Sequence, residues 1–129
     1  MQQGRDNLKV GEKLHNGDRI ISKNGQFYAE LLQGGNFVVF SSNPVDALWA
    51  TNTINGGYSH IIVQNDGNLV LYNPIIKGRN KFPKWASNTW GRDNNPRLVM
   101  QDDGNLVLFS SQNETLWESG TVGGKKVMH

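Results

Sequence analysis

Gln64, Asp66, Asn68, Val70 and Tyr72 follow one another at every second position of the chain. Together they offer a carboxylate that accepts hydrogen bonds, two amides that donate and accept, and a phenol hydroxyl that does either. Val70 places a small apolar patch among them. A sugar ring presents neighbouring hydroxyls around its edge and C–H groups on its face, and this set is complementary to it; nothing charged or flat fits nearly so well. The set recurs at Gln101, Asp103, Asn105, Val107 and Phe109. A worn copy keeps Asn36 and Val38 but has Leu32, Gly34 and Phe40 at the other three positions. An Asp before Gly commonly bonds its own backbone in a turn, and a lone Asn-Asp-Gly-Asn needs no further explanation. A hairpin requires only a turn and alternating apolar residues, so Gln, Asp, Asn and an aromatic ring kept at fixed offsets are read as a binding set.

These residues need a rigid frame, and the repeats supply it. The motif asparagines Asn36, Asn68 and Asn105 are spaced by 32 and 37 residues. Each is followed by a tryptophan segment, Leu48-Trp49-Ala50-Thr51-Asn52-Thr53, Lys84-Trp85-Ala86-Ser87-Asn88-Thr89 and Leu116-Trp117-Glu118-Ser119-Gly120-Thr121. Two markers in the same order, with a period in the thirties, are the signature of a repeat architecture. The middle repeat carries an insertion within Pro74–Pro83.

Ile61–Gln64 leads into Asn65-Asp66-Gly67, and Asn68–Tyr72 leads out. A three-residue hairpin loop with Gly67 left-handed sets Gln64 opposite Asn68 and Val63 opposite Leu69. Period-2 alternation then places Gln64, Asn68, Val70 and Tyr72 outside, and Ile61, Val63, Leu69 and Leu71 inside. The same pattern puts Leu98, Met100, Leu106 and Leu108 inside in repeat three, and Phe27, Ala29, Leu31, Phe37 and Val39 inside in repeat one. One four-stranded sheet cannot bury a core alone. Three can pack around a common axis, with Trp49, Trp85 and Trp117 filling the centre. No sustained 3.6-residue periodicity exists, so essentially no helix is predicted.

The motif Q-x-D-x-N-x-V-x-Y of the bulb-type (monocot-type) mannose-binding lectins resembles these repeats. Gln64 to Tyr72 match all five specified positions, Gln101 to Phe109 match four, and Leu32 to Phe40 keep only Asn36 and Val38. With the Trp-Ala-Ser/Thr-Asn-Thr segments, the resemblance covers roughly residues 6–122. It implies an all-β fold, a β-prism II of three four-stranded antiparallel sheets around a pseudo-threefold axis, with one sugar pocket per sheet. It implies that Gln64 bonds the mannose 3-hydroxyl, Asp66 and Asn68 the axial 2-hydroxyl, and Tyr72 the 4-hydroxyl, while Val70 packs on the ring. Repeat three, with Gln101, Asp103, Asn105, Val107 and Phe109, is expected to be a weaker site because Phe109 has no hydroxyl; repeat one is expected to have none. The resemblance further implies metal-independent binding of mannose or mannose-rich glycans, and a homodimer made by exchanging a C-terminal strand from residues 121–129. The disulfide usual in the family is absent, with Gly35 where one cysteine is expected.

At 129 residues the chain is expected to be a single domain over 1–129. The absence of Cys excludes a disulfide scaffold and thiolate metal sites. A net charge of +2 gives no argument for nucleic acid. The Lys77, Arg79, Lys81, Lys84, Phe82 and Trp85 cluster reads as a solvated loop leading into a buried Trp85 rather than a base-stacking groove. MQQGRDNLKV has no apolar signal-peptide core and no 18-residue apolar run occurs. No membrane insertion is expected. A cytoplasmic protein is expected, or one exported without a classical signal peptide; removal of a leader would make it a secreted one.

An enzyme is disfavoured: His15, His60 and His129 are scattered, catalytic motifs are absent, and the repeat symmetry separates Asp66 from Asp103 too widely for paired glycosidase carboxylates. Asn65-Asp66-Gly67-Asn68 lacks the spacing of a calcium loop, and no cofactor is expected. The alternative function is a protein- or cell-surface-binding member of the fold, toxin or defence-like, with weak or lost sugar binding. The Asn113-Glu114-Thr115 sequon is treated as chance.

Overall fold

A computed structural model describes residues 5–54, 58–73 and 83–127. Leu8, Leu14 and Ile20 lie six residues apart and are each fully buried. Each is the centre of a three-residue strand: β1 (Asn7–Lys9), β2 (Lys13–His15) and β3 (Arg19–Ile21). The N-terminal segment therefore deals one strand to each of three sheets. The first sheet runs β3, β4 (Phe27–Leu31), β5 (Phe37–Ser42), β6 (Val45–Ala50). The second runs β2, β7 (His60–Val63), β8 (Leu69–Tyr72), β9 (Pro83–Ala86). The third runs β1, β10 (Arg97–Met100), β11 (Leu106–Phe109), β12 (Thr115–Glu118). All neighbouring strands are antiparallel.

The expected register holds. Val63 pairs with Leu69, Met100 with Leu106 and Leu31 with Phe37. The inward set of every repeat joins one shared core, in which Ile61, Val63, Leu69, Leu71, Leu98, Met100, Leu106 and Leu108 are inaccessible to water. Phe27 is only half-buried at its margin. Trp49, Trp85 and Trp117 meet edge to face, with ring centroids 5.2–5.6 Å apart. Such pairs contribute about 0.5–1.5 kcal/mol each beyond area burial, so the triad ties the three sheets together. Trp85 and Trp117 stay half-buried, which makes the triad a partly wet junction rather than the deepest layer. The aliphatic residues of the hairpins fill that layer instead.

Among the described residues the only helical turn is a 3-10 turn at Val122–Gly124. The expected C-terminal strand is therefore a turn at this point. Gly123 and Gly124 both have positive φ, 73° and 78°, which an extended strand cannot accommodate. The tail turns back instead onto β6 of its own chain. Val127 N donates to Leu48 O at 2.8 Å, and Lys126 Nζ lies 3.0 Å from Asp46 Oδ1. Most of the basic middle-repeat insertion, including Lys77, Arg79, Lys81 and Phe82, lies outside the described residues; Lys84 is exposed and Trp85 belongs to the triad.

Candidate functional site

The hairpin turns set the site. In repeat two Gln64 N donates to Asn68 O (2.9 Å) and Gly67 N to Gln64 O (3.1 Å); in repeat three Gln101 and Asn105, with Gly104, make the same bonds at 3.0 and 3.1 Å. Gly67 and Gly104 both have φ of 94°. A Cβ at Gly67 would come within 2.7 Å of Asp93 O, and one at Gly104 within 2.9 Å of the Phe27 ring. Positive φ and a close neighbour together make glycine obligatory at both turns.

Repeat two brings Gln64, Asp66, Asn68 and Tyr72 into one connected rim. The Gln64 amide lies 2.6 Å from Tyr72 Oη. Turned so that its oxygen accepts from that hydroxyl, its nitrogen reaches both Asp66 carboxylate oxygens at 3.2 Å. We favour this orientation because it satisfies both ends of the amide, and because the equivalent Gln101 Nε2 donates to Asp103 Oδ1 at 3.1 Å. Asp66 Oδ1 also accepts from Asn68 N (3.0 Å), the local turn bond expected of an Asp before Gly. Asp66 is exposed, while Gln64, Asn68 and Tyr72 are half-buried. Val70 is on the outer face but only 3% exposed. It forms the floor of the rim and not the open apolar patch expected, because Ile62 and Ala86 flank it on the neighbouring strands. The His60 ring stands 5.4 Å from that of Tyr72.

Asn68 has a second task that the motif alone does not reveal. Its Oδ1 accepts from Ser87 Oγ (3.0 Å) and Thr89 N (3.2 Å), and Thr89 Oγ1 donates to Gly67 O (2.6 Å). The same clasp recurs in repeat three, where Asn105 Oδ1 accepts from Ser119 Oγ and Thr121 N, both at 3.2 Å, and in repeat one, where Asn36 Oδ1 accepts from Thr51 Oγ1 (3.2 Å) and Thr53 N (3.3 Å). Each clasp pins a hairpin turn to the segment after a core tryptophan. The fold therefore does require the asparagine, contrary to the reading of all the polar positions as binding residues, and this explains why Asn36 survives in the worn repeat. Asn36→Ala removes the acceptor for several partly buried donors, which costs about 1–3 kcal/mol. Urea unfolding is expected to record that loss without any change in ligand binding at repeat two; an unaltered midpoint would reject the clasp.

With Oδ1 committed to the clasp, Asn68 Nδ2 is left without a partner among the described residues and, with Asp66 Oδ2, completes a donor–acceptor pair for a hydroxyl. Repeat three differs here. Asn105 Nδ2 donates to Glu118 Oε1 at 2.8 Å, and Asn105 is buried. Glu118 pairs across from Val107, the place taken by Ala86 beside Val70 and by Ala50 beside Val38. A carboxylate of the protein thus occupies the amide whose counterpart in repeat two has no partner among the described residues. Asp103 is exposed and bonds Asn105 N at 2.9 Å, and Val107 is again a floor at 3% exposure. Phe109 carries the Arg97 guanidinium over its ring at 5.0 Å. Sequence reasoning missed Glu118; the departure from Ala at the residue after the third core tryptophan was the available signal. In repeat one Gly34 supplies no carboxylate, Leu32 no amide, and Phe40 stacks on Tyr28 at 4.9 Å. No cluster of three or more metal-ligating side chains occurs among the described residues.

The chain matches no family model. It is 34% identical over 119 residues to the B-type lectin plumieribetin of Scorpaena plumieri, covering 92% of this chain and 98% of that protein. Among solved structures, it is similar to a monomeric monocot mannose-binding lectin from Gastrodia elata (31% identity, TM-score 0.75, 91% of this chain and 98% of that one). It is also similar to the mannose-specific agglutinin of snowdrop, Galanthus nivalis, solved with methyl-α-D-mannoside (33% identity, TM-score 0.69, 82% and 90%). Three four-stranded sheets around the tryptophan triad, the threefold hairpin turn and these relatives agree: the chain belongs to the bulb-type, or B-type, lectin family and has its β-prism II fold.

Proposed function

We propose that this protein is a non-catalytic lectin that binds mannose or mannose-containing glycans through repeat two. The observation that carries the reading is the connected rim from Tyr72 through Gln64 and Asp66 to Asn68, with a donor and an acceptor left outward over the Val70 floor. Gln64 bonds the 3-hydroxyl, Asp66 and Asn68 bond the axial 2-hydroxyl and so exclude glucose, and Tyr72 bonds the 4-hydroxyl. No metal takes part, since side chains supply every contact. Four or five hydrogen bonds, each contributing about 0.5–1.5 kcal/mol net, set against association entropy, give a dissociation constant of roughly millimolar order. Useful avidity then comes from several sites on one branched glycan or surface.

A glycan array with and without methyl-α-mannoside, repeated in EDTA, tests the proposal. Mannose-terminated glycans are expected to dominate, to be displaced by the mannoside and to be indifferent to the chelator. Loss of binding in EDTA would overturn the site chemistry. Binding that no sugar displaces would favour the second reading, a protein-binding member of the fold, for which the exposed Ile54 and Tyr58 offer apolar surface.

A further inference from the structure

The fourth tryptophan lies outside the triad. Trp90 is 71% exposed, so most of the largest apolar side chain type is open to contact. It directly follows the clasp threonine Thr89, as Ile54 follows Thr53 and Val122 follows Thr121; these two are exposed as well, at 76% and 53%. The fold therefore places an apolar residue beside each hairpin turn. Only in repeat two is that residue aromatic, and only there does it adjoin the complete polar rim.

Trp90 and Arg92 line an open cleft of about 470 Å³ together with Asn65, Asp66 and Asn94. That volume is in the range of small-ligand clefts, ~300–1,000 Å³. Asp66 belongs to both the rim and this cleft, so a ligand bonded to its carboxylate can continue into the cleft without a gap. The loop carrying Trp90 is pinned. Gly91 N donates to Asp66 O (2.5 Å), Asn95 N to Asp93 Oδ2 (3.1 Å), and Ser111 bonds both Asp93 oxygens at 2.9 Å through its N and Oγ. A platform held by bonds of this kind loses little freedom on binding.

We propose that Trp90 and its cleft form a second subsite, which takes the sugar glycosidically linked to the mannose in repeat two. The indole face packs on the C–H face of that second ring, while Asn65, Arg92 and Asn94 meet its hydroxyls. A glycan is favoured as occupant over a protein surface because the side chains lining the cleft beside Trp90 are polar and the cleft shares Asp66 with the polar rim. The inference rests on the mannose reading of repeat two.

The test compares wild type and Trp90→Ala by calorimetric titration with methyl-α-mannoside and with the α1,2-, α1,3- and α1,6-linked dimannosides. Wild type is expected to bind at least one dimannoside about tenfold more tightly than the monosaccharide, equivalent to ~1.4 kcal/mol. Trp90→Ala is expected to remove that gain and leave the monosaccharide affinity within about twofold, and Trp90→Phe to keep part of it. A wild type that binds all four ligands equally, or a gain that persists in Trp90→Ala, overturns the subsite while the repeat-two reading stands. A wild type that binds none of them overturns both.

Discussion

Asp66→Ala is expected to reduce methyl-α-mannoside binding below detection while leaving the protein folded. The substitution deletes the acceptor proposed for the axial hydroxyl, and a hydrogen bond to a charged group contributes about 1.5–3 kcal/mol. That is roughly a ten- to hundredfold loss from the proposed affinity of about millimolar order. It also releases Gln64, whose amide bridges Asp66 and Tyr72, so the rim loses its order as well as one partner. The fold loses less. Asp66 is exposed, and its carboxylate makes one other bond, to Asn68 N. Losing that bond costs about 0.5–1.5 kcal/mol, or a few degrees in midpoint for a domain of this size. Asp66→Asn separates the two roles, because its amide oxygen still accepts from Asn68 N while the charge is gone. Thermal melts and sugar titrations of both variants check the argument. A large fall in melting temperature with binding intact would make Asp66 a turn residue and nothing more.

The hairpins were legible in the sequence because their determinants are local. Gly67 needs positive φ in the three-residue loop between Gln64 and Asn68, and Ile61, Val63, Leu69 and Leu71 alternate within eleven residues. What stayed hidden depends on contacts between distant segments. The clasp joins Asn68 to Ser87 and Thr89, some twenty residues on, so a structural asparagine and a tryptophan-segment threonine look like two unrelated markers. The first strand of each sheet was equally opaque. β1, β2 and β3 have three residues each, too short to show a period, and only the six-residue spacing of Leu8, Leu14 and Ile20 betrays them. The strand expected in the tail rested on the family resemblance alone, whereas Gly123 and Gly124 turn the chain. The rim residues of repeat two were readable for a different reason: a five-position motif on a hairpin of fixed register has one geometry available to it.

Repeat three tests how far that motif suffices. A four-out-of-five match predicts a weakened site that a single hydroxyl repairs, yet the bond from Asn105 to Glu118 places an obstacle the motif does not contain. A sugar entering here must displace a carboxylate from an amide, again at about 1.5–3 kcal/mol, and must share the space with a longer side chain than the alanines of the other repeats. Phe109→Tyr alone is therefore expected to gain little. Glu118→Ala frees Asn105 Nδ2, and combined with Phe109→Tyr it is expected to raise the number of mannosides bound per chain from one to two. Glu118 is exposed, and the clasp uses Asn105 Oδ1 rather than Nδ2, so the double variant keeps its fold. The reciprocal change, Ala86→Glu, should close repeat two by offering Asn68 the same internal partner. Side-chain amide resonances of Asn68 and Asn105, followed by NMR during mannoside titration, report each site separately. If Phe109→Tyr opens repeat three with Glu118 still in place, the carboxylate is a bystander and the missing hydroxyl alone is the obstacle.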